Sequence, residues 1–320
     1  MRRTYESLYG YAPHVDANIP YFSTSTDKET SISDSYNART LLSFFGNVDY
    51  NYANRYFVAA SIREDGSSLF GSKNKWGTFW SASASWNISS EEWMQNTSNW
   101  LSLLKLRASY GVNGNNNIAA YRAYGVYATT TYNGVNGMVP SRADNPNLSW
   151  EKNKTWNVGL DFGFLDDRLT GSVDVYNRLT TDMLLDKSVP YTTGFGSNFM
   201  NTGSMQNKGL EIMLDGTILR TDDWFWSVGG NIAFNRTKVL DLAGSGFLTV
   251  SDARRGQDTP VRIVEGMNLY NFYIRDYAGV NPSNGYGLYW TEDGTLTSDR
   301  AQGRYYYAGS PEPKFTGGFN

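Results

Sequence analysis

The residue types that most often carry chemistry are sparse in this chain. His14 is the only histidine, and a catalytic triad or zinc site built on it would need partners that the sequence does not place beside it. Ser67 and Ser68 follow Gly66 without the strand–turn–helix setting of a nucleophile elbow. The chain has no cysteine, which excludes disulfides, thiolate metal sites and cysteine nucleophiles. We therefore expect no enzyme activity, no cofactor and no metal.

Acidic pairs are the remaining candidates for catalysis. Glu64 and Asp65 could act together in hydrolysis, but adjacent residues at a strand end point to opposite faces, which favours a solvated loop rim. The other pairs are expected to serve a helix N-terminus or turns: Glu91–Glu92, Asp166–Asp167 and Asp222–Asp223. The loops rich in Asp, Asn and Gly lack the spacing of a known calcium loop.

Aromatic residues in the long polar segments suggest sugar binding instead. A pyranose face can stack on an aromatic ring while neighbouring polar groups hydrogen-bond its hydroxyls. The candidate ligand-binding residues of this kind are Tyr121, Tyr124, Tyr127, Tyr132, Tyr191, Phe195, Tyr289 and Trp290. Packing within a loop is the alternative role for each of them.

The elements that carry these segments are predicted to be strands. From Trp156 to Phe164, and again from Leu169 to Val175, apolar side chains alternate with polar or small ones. Leu165–Arg168, between the two runs, suits a tight turn. Arms of this length exceed the usual soluble strand of about 5–6 residues. They fit a tilted membrane-spanning strand of about 9–11 residues.

The same alternation predicts further strands, about ten or eleven in all. They begin near residues 42, 56, 78, 101, 210 and 224, with weaker ones at 267–280 and 284–291 and a last one from 314. Ser89 and Glu92 have capping-box spacing, which predicts one short helix near 90–96. Short connections alternate with long polar ones. The short ones are 53–55, 165–168 and 220–223; the long ones are 63–76, 114–149, 181–205 and 236–260.

Short turns at one rim and long loops at the other are typical of an outer-membrane β-barrel. Aromatic residues of the apolar faces cluster beside the short turns, as a membrane girdle requires: Tyr50, Tyr52, Tyr56, Trp86, Phe162, Phe164, Trp224 and Trp226. Polar residues of the opposite faces would then line the lumen: Asn47, Asp49, Asn51, Arg63, Ser81, Ser83, Ser85, Asn157, Asp161, Asp174, Glu211, Asp215 and Asn231. The fold prediction is an all-β, antiparallel up-and-down transmembrane barrel. A soluble β-sandwich with an aromatic core is the alternative.

Composition agrees with this prediction. Of 320 residues, 15% are aromatic and 18% charged, and the abundance of Gly and Tyr suits strands and turns. The net charge of −3 argues against a nucleic-acid binder, which needs a basic face. No run approaches the ~18 apolar residues of a transmembrane helix. The start of the chain has no apolar signal-peptide region, so an exported protein beginning here would be a fragment.

Six segments also resemble the barrel of SusC/RagA-like TonB-dependent outer-membrane transporters, and they occur in the order expected for that family. They are RYFVAASIREDGSSLFG, WGTFWSASASWNIS, WLSLLKLRASYGVNGN, NPNLSWEKNKTWNVGLDFGFLDDRLTGSVDVYN, NKGLEIMLDG and SPEPKFTGGFN. Together they cover most of residues 40–320. Several spaced motifs in one order are more specific than any single one.

The resemblance implies a barrel of about 22 strands closed by an N-terminal plug. It also implies energy from an inner-membrane TonB complex, a SusD-like surface lipoprotein as partner, and oligosaccharide or peptide ligands. Residues 1–40 would be a strand end and an extracellular loop, and 41–320 a partial barrel in outer-membrane lipid. Plug, TonB box and closing strand are not recognisable in this sequence. We therefore expect a fragment that binds the TonB complex only through a missing N-terminal part and does not insert or transport alone.

Two other functions remain open at this point. A siderophore-type TonB-dependent receptor would share the barrel and differ in its ligand. A soluble all-β glycan-binding or adhesin domain would pack its apolar faces against a second sheet and would not concentrate Trp and Tyr at one rim.

Overall fold

A computed structural model describes residues 2–11, 31–133, 135–252 and 257–320, and these residues are mostly β-strand. In chain order the strands are β1 (Arg2–Tyr11), β2 (Ser31–Tyr52), β3 (Tyr56–Ser67), β4 (Trp76–Asn87), β5 (Leu101–Asn115), β6 (Val126–Tyr132), β7 (Val135–Arg142), β8 (Glu151–Phe164), β9 (Leu169–Thr181), β10 (Leu184–Ser188), β11 (Ser197–Asn201), β12 (Ser204–Arg220), β13 (Phe225–Asp241), β14 (Phe247–Asp252), β15 (Gln257–Val264), β16 (Asn271–Arg275), β17 (Tyr277–Val280), β18 (Gly287–Trp290), β19 (Leu296–Thr297), β20 (Tyr305–Gly309) and β21 (Thr316–Phe319). Short 3₁₀ helices lie at Ile88–Ser90, Glu92–Thr97 and Tyr191–Thr193.

Ten strands form the principal sheet, in the order β1-β2-β3-β4-β5-β8-β9-β12-β13-β21. The order follows the chain, because the other strands form smaller sheets within the connections. Strand β21 pairs with β13 through Ala233 opposite Thr316, where the last strand is predicted. The predicted antiparallel up-and-down arrangement is confirmed. The weaker strands predicted at 267–280 and 284–291 belong to smaller sheets instead, and β1 brings the principal sheet to ten strands.

The strand register aligns like residues on each face of the sheet. On one face, Leu106 of β5 lies opposite Leu160 of β8, which lies opposite Val173 of β9. One step along the strands, Arg107 lies opposite Gly159, and Gly159 lies opposite Asp174. A slip of one residue would exchange the apolar and polar faces, so the alternation in the sequence fixes this register.

The short connections are tight turns that lie at one end of these strands. Ala53 and Asn54 have φ values of 53° and 54°, and Leu165, Asp166 and Asp167 lie between 55° and 60°. Positive φ at consecutive turn residues matches the twist of antiparallel strands, and Asn and Asp accept it most readily after glycine. We call this end of the sheet, at residues 53–55, 88–100, 165–168 and 221–224, the turn rim.

The long connections are more ordered than the sequence indicates. Strand β3 continues to Ser67, into the run expected to be a polar loop. The segment 114–149 contains the β6–β7 hairpin, and 181–205 contains the β10–β11 hairpin. Residues 242–315 form a four-stranded sheet, β14-β15-β16-β20, and a three-stranded one, β17-β18-β19. Residues 1–40 are predicted to be a strand end and a loop; the structure has β1 and the first part of β2 in this range. The residues between these two strands, including His14, lie outside the described ranges.

The helix predicted near 90–96 is two short 3₁₀ segments, and the predicted capping box is wrong. No side-chain cap bond forms at either N-terminus. The Ser89 hydroxyl donates to Asn87 Oδ1 at 2.9 Å instead of capping. The backbone bonds here join residues three apart, as from Glu91 N to Ile88 O and from Met94 N to Glu91 O, which is the pattern of a 3₁₀ helix and not of an α-helix.

Contacts divide the chain into two compact units. The first comprises Met1–Phe45, Arg63–Thr78 and Asn116–Trp150, and the second comprises Gly46–Ile62, Phe79–Asn115 and Glu151–Asn320. The first unit has an apolar core made by two connections that are far apart in sequence. Leu69, Phe70, Leu148 and Trp150 are all at most 6% exposed. The rings of Phe70 and Trp150 lie 4.8 Å apart.

Close backbone packing locks the same two connections together. Gly71 donates its amide to Leu148 O at 3.0 Å, and a Cβ on Gly71 would lie 2.1 Å from Pro146 O, so only glycine fits there. Trp150 Nε1 donates to Lys75 O at 3.2 Å. Asp65 and Ser67 are also buried, and Arg63 Nε donates to Asp65 Oδ1 at 2.6 Å. Asp65 is therefore not on a solvated loop rim as the sequence suggests.

Candidate functional site

Aromatic side chains stack along the turn rim of the second unit. The ring centroids of Tyr52 and Tyr56 lie 6.5 Å apart, and those of Tyr56 and Trp86 lie 6.3 Å apart with planes 15° from parallel. Phe164 stacks on Trp100 at 6.0 Å and contacts Phe162 at 5.5 Å. Each such pair contributes about 0.5–1.5 kcal/mol beyond its buried area.

The side chains of the predicted girdle residues are partly or highly exposed at this rim. Tyr50, Tyr52, Trp224 and Trp226 are 57–71% exposed, Tyr56 is 41% exposed, and Trp86, Phe162 and Phe164 are half-buried. Large exposed aromatic and aliphatic side chains on one face are what a protein surface in contact with lipid presents.

Glu91 holds the polar ends of two of these rings. Its carboxylate accepts hydrogen bonds from the Tyr56 hydroxyl at 2.5 Å and from Trp86 Nε1 at 2.9 Å. Arg55 lies 3.5 Å away and also approaches Glu92 at 3.3 Å. The hydrogen bonds from Tyr56 and then Trp86 lower the pKa of the Glu91 carboxyl below its usual value. Glu91 therefore anchors the rim; it does not cap a helix as the sequence suggests.

The polar face carries an ion-pair cluster that spans three strands. Arg107 on β5 donates from Nε and Nη2 to the two carboxylate oxygens of Asp161 on β8, both at 2.8 Å. The same Nη2 also donates to Asp174 Oδ2 on β9 at 3.1 Å. The side chains pass over Gly159, where a Cβ would lie 2.4 Å from Asp174 Oδ1. The cluster ties three strands together across the polar face.

A cavity of about 680 Å³ lies among the sheets formed by residues 242–315. Three arginines and four tyrosines account for most of its lining, and no aspartate or glutamate lines it among the residues whose side chains are described, which leave out 251–259. The lining is Thr249, Pro260, Arg262, Tyr273, Ile274, Arg275, Tyr277, Tyr289, Arg300 and Tyr305. We call this the loop cavity. Its volume falls in the range of about 300–1,000 Å³ that is usual for small-molecule sites.

Four of the eight candidate ligand-binding aromatics lie in the first unit and four in the second. Tyr289 lines the loop cavity, and Trp290 follows it in β18, 37% exposed. Tyr121 and Tyr124 line a separate cavity of about 500 Å³ in the first unit. Tyr127 and Tyr132 lie on the β6–β7 hairpin, 67% and 85% exposed. Tyr191 is 88% exposed, and Phe195 is half-buried beside the β10–β11 hairpin.

Several residues of interest are missed by the sequence analysis. Arg107 could have been found, because Lys105, Arg107 and Ser109 alternate with the apolar residues of the same strand. Arg262 and Arg300 carry no comparable signal, since the residues that line the loop cavity come from separate strands and turns. Within the described ranges, no helix is long and apolar enough to cross a membrane. No group of three or more metal-ligating side chains occurs in the part of the chain that the structure describes.

The family model described as "TonB dependent receptor-like, beta-barrel" matches residues 2–319. The chain belongs to this family. Its ten-stranded sheet is accordingly part of a TonB-dependent outer-membrane β-barrel, and the resemblance to SusC/RagA-like transporters is confirmed.

Individual relatives agree with the family assignment. The chain is 37% identical to TonB-dependent receptor SusC of Bacteroides thetaiotaomicron over 262 residues, which are 77% of this chain and 26% of that protein. It is 38% identical to TonB-dependent receptor P26 of Formosa agariphila over 230 residues, 71% of this chain and 23% of that protein. The solved structure of the RagAB peptide importer in the open-open state matches with a TM-score of 0.83 and 28% identity, covering 99% of this chain and 38% of that one.

The chain thus spans about a quarter of the length of these two curated relatives. TonB-dependent receptors are transporters, not enzymes. The relatives are much longer than this chain, so the comparisons show its family and not the ligand or partners of the whole protein.

Proposed function

We propose that this chain is a wall segment of a TonB-dependent importer of oligosaccharides or other nutrients. The supporting observation is the alignment of two chemically different faces across the sheet. Leu106, Leu160 and Val173 align on one face, and the Arg107 cluster lies on the other. An apolar face meets outer-membrane lipid, and a polar face lines a water-filled or plugged lumen.

The proposed transport cycle requires parts beyond these residues. The ligand binds at the extracellular mouth, a SusD-like surface lipoprotein closes over it, and a TonB complex drives its release inward through the N-terminal part of the protein. The RagAB structure is described as a peptide importer, which supports peptides as the alternative ligand class. Neither a siderophore ligand nor a soluble glycan-binding domain gains support from the described residues.

The direct test is ligand uptake by cells that express the complete gene product carrying this chain. A fluorescent oligosaccharide mixture and a peptide mixture should be compared in strains with and without a functional TonB complex. We expect TonB-dependent uptake of at least one of the two mixtures. Uptake that is unaffected by loss of TonB, or no uptake of either mixture, would overturn the proposal.

The loop aromatics are proposed to contact the ligand. Trp290→Ala and Tyr124→Ala should each weaken uptake, because each removes an exposed ring from a different unit. Tyr286→Ala is the control, since Tyr286 is an exposed loop tyrosine, 66% accessible, that is not among the eight candidate residues. Wild-type uptake by Trp290→Ala and by Tyr124→Ala would show that these two aromatic residues do not contact the ligand.

A further inference from the structure

The loop cavity concentrates positive charge in a chain whose net charge is −3. Arg262, Arg275 and Arg300 line it, and no carboxylate does among the residues whose side chains the structure describes, which leave out 251–259. Arg304 pairs with Asp276 at 2.6 Å and lies outside the lining. Several arginines around a concave surface favour the binding of an anion.

Arg262 is held in place by aromatic rings. Its guanidinium carbon lies 3.7 Å from the ring centroid of Tyr273 and 4.3 Å from that of Phe247. Contacts of this kind restrain the planar group while its N–H edge remains able to donate. A restrained guanidinium loses less entropy when it binds a carboxylate or sulfate, so the site is prepared in advance of the ligand.

The other two arginines have different surroundings. Arg275 lies 4.3 Å over the Tyr305 ring and donates from Nη1 to the carbonyls of Ala301 and Gly303. It therefore supports the turn that carries Arg300. Arg300 is exposed at the edge of the cavity. Arg262, which is half-buried, and Arg300, which is exposed, are thus the lining arginines whose guanidinium groups could bind an anion, with Arg275 positioning the turn.

The tyrosines indicate what the anion is attached to. Tyr273 and Tyr305 stack with ring centroids 4.9 Å apart and planes 9° from parallel. Tyr277 and Tyr289 pack edge-on at 5.7 Å, and Tyr277 and Tyr305 remain 54% and 44% exposed. Tyr273 is already stacked between Arg262 and Tyr305, and Tyr305 between Tyr273 and Arg275, so Tyr277 is the exposed ring that remains for a ligand. A flat, exposed ring with a hydroxyl group suits the C–H face and hydroxyls of a sugar ring better than the slender side chain of an acidic peptide.

We propose that the loop cavity binds an acidic saccharide, with Arg262 and Arg300 binding a carboxylate or sulfate group and the exposed ring of Tyr277 packing against the sugar ring. This inference deepens the proposed function and rests on it for the ligand class. Uronates and sulfated sugars supply the same anionic chemistry, so the test must treat them separately.

Binding to the purified complete gene product is measured by calorimetry, without any need for TonB. The probes are an oligomer of a uronate, a sulfated oligosaccharide, a neutral oligosaccharide of equal length and a poly-glutamate peptide. We expect at least one acidic saccharide to bind about tenfold or more tightly than the neutral one, with affinity falling as salt is raised. Equal binding of neutral and acidic saccharides, or preference for the acidic peptide, would overturn the inference.

Three variants and one control assign the binding to the cavity. Arg262→Gln and Arg300→Gln should each weaken acidic-saccharide binding about tenfold or more and leave neutral binding unchanged. Arg262→Lys keeps the charge without the planar guanidinium, so its affinity for the acidic saccharide should lie between those of the wild type and of Arg262→Gln. The matched control is Arg168→Gln at the turn rim, which makes the same charge change at an exposed site and should have no effect. Unchanged acidic-saccharide binding in both Gln variants would contradict the assignment, and Arg300, in an exposed turn, remains informative if the Arg262 variant misfolds.

The two proposals fail in different ways. If acidic saccharides bind through Arg262 but neither the oligosaccharide nor the peptide mixture is taken up with TonB, the proposed function is wrong and the cavity assignment stands. If TonB-dependent uptake of neutral oligosaccharides occurs and the arginine variants leave every affinity unchanged, the function stands and the cavity assignment is wrong.

Discussion

Glu91 shows how a single buried carboxylate organises the turn rim. It is 7% exposed, and it accepts from one side chain of β3 and one of β4. A buried carboxylate needs such donors to remain charged. The sequence places two adjacent glutamates beside a short helical segment, and no local pattern distinguishes the buried one from Glu92, whose side chain is 79% exposed.

The first prediction concerns pH. The pKa of Glu91 is lowered from 4.5 by the hydrogen bonds from Tyr56 and Trp86. Its stabilising contribution is therefore fully present above the unfolded-state pKa and is lost as pH falls through the lower folded-state value. The thermal midpoint of the complete gene product should drop on acidification through this window, and Glu91→Gln should flatten that drop.

The control for this prediction is Glu92→Gln, which changes the neighbouring carboxylate that also approaches Arg55. It should retain the wild-type pH profile. Identical profiles for the two variants would show that Glu91 has no special role at the rim.

Gly159 provides the second prediction at the residue scale. Gly159→Ala should displace Asp174 and Arg107 and lower the free energy of unfolding by about 1–3 kcal/mol, the usual value of a charged hydrogen bond. Gly46→Ala is the matched control, because a Cβ at Gly46 meets nothing within 4 Å. Urea midpoints in detergent would measure both. Equal midpoints would mean that the Arg107 cluster does not stabilise the sheet.

At the scale of elements, strands and turns differ in how well they can be predicted. The arms and turn of β8 and β9 follow from period-two alternation and a polar break, so the sequence predicts them. The core of the first unit does not follow, because Phe70 and Trp150 are 80 positions apart in the sequence and each lies in a polar stretch. This core gives a structural reason for the segments SLFG (68–71) and NPNLSW (145–150), which are part of the family resemblance. The structure shows that they pack against each other.

The third prediction tests that core. Phe70→Ala removes a side chain that is 0% exposed and should cost about 3–5 kcal/mol locally. Because the core joins two connections, protease cleavage within 63–78 and 116–150 should increase while the principal sheet stays protected. Tyr132→Ala, at an 85% exposed site, is the control and should not alter the pattern. Unchanged cleavage in Phe70→Ala would contradict the proposed packing.

At the scale of the whole molecule, face chemistry is what the sequence predicts best. Side-chain period and strand register together decide which residues share a face, and both are encoded locally. The candidate ligand residues are predicted least well, since composition identifies exposed aromatics but not which of them meet. Only Tyr289 of the eight lines the loop cavity, and the arginines there depend on the pairing of β15, β16 and β20.

The central claim is that alternate residues of one strand face lipid and lumen. This chain has no cysteine, so single spin labels can be attached to cysteines introduced at Asn157 and Val158 on β8, and at Ala108 and Ser109 on the adjacent β5, once any cysteine elsewhere in the complete gene product is replaced. In the complete gene product reconstituted in lipid, we predict high oxygen accessibility at 108 and 158 and high accessibility to a water-soluble nickel reagent at 109 and 157. Equal accessibility of neighbouring positions to both reagents, or apolar positions that are shielded from oxygen, would contradict this claim.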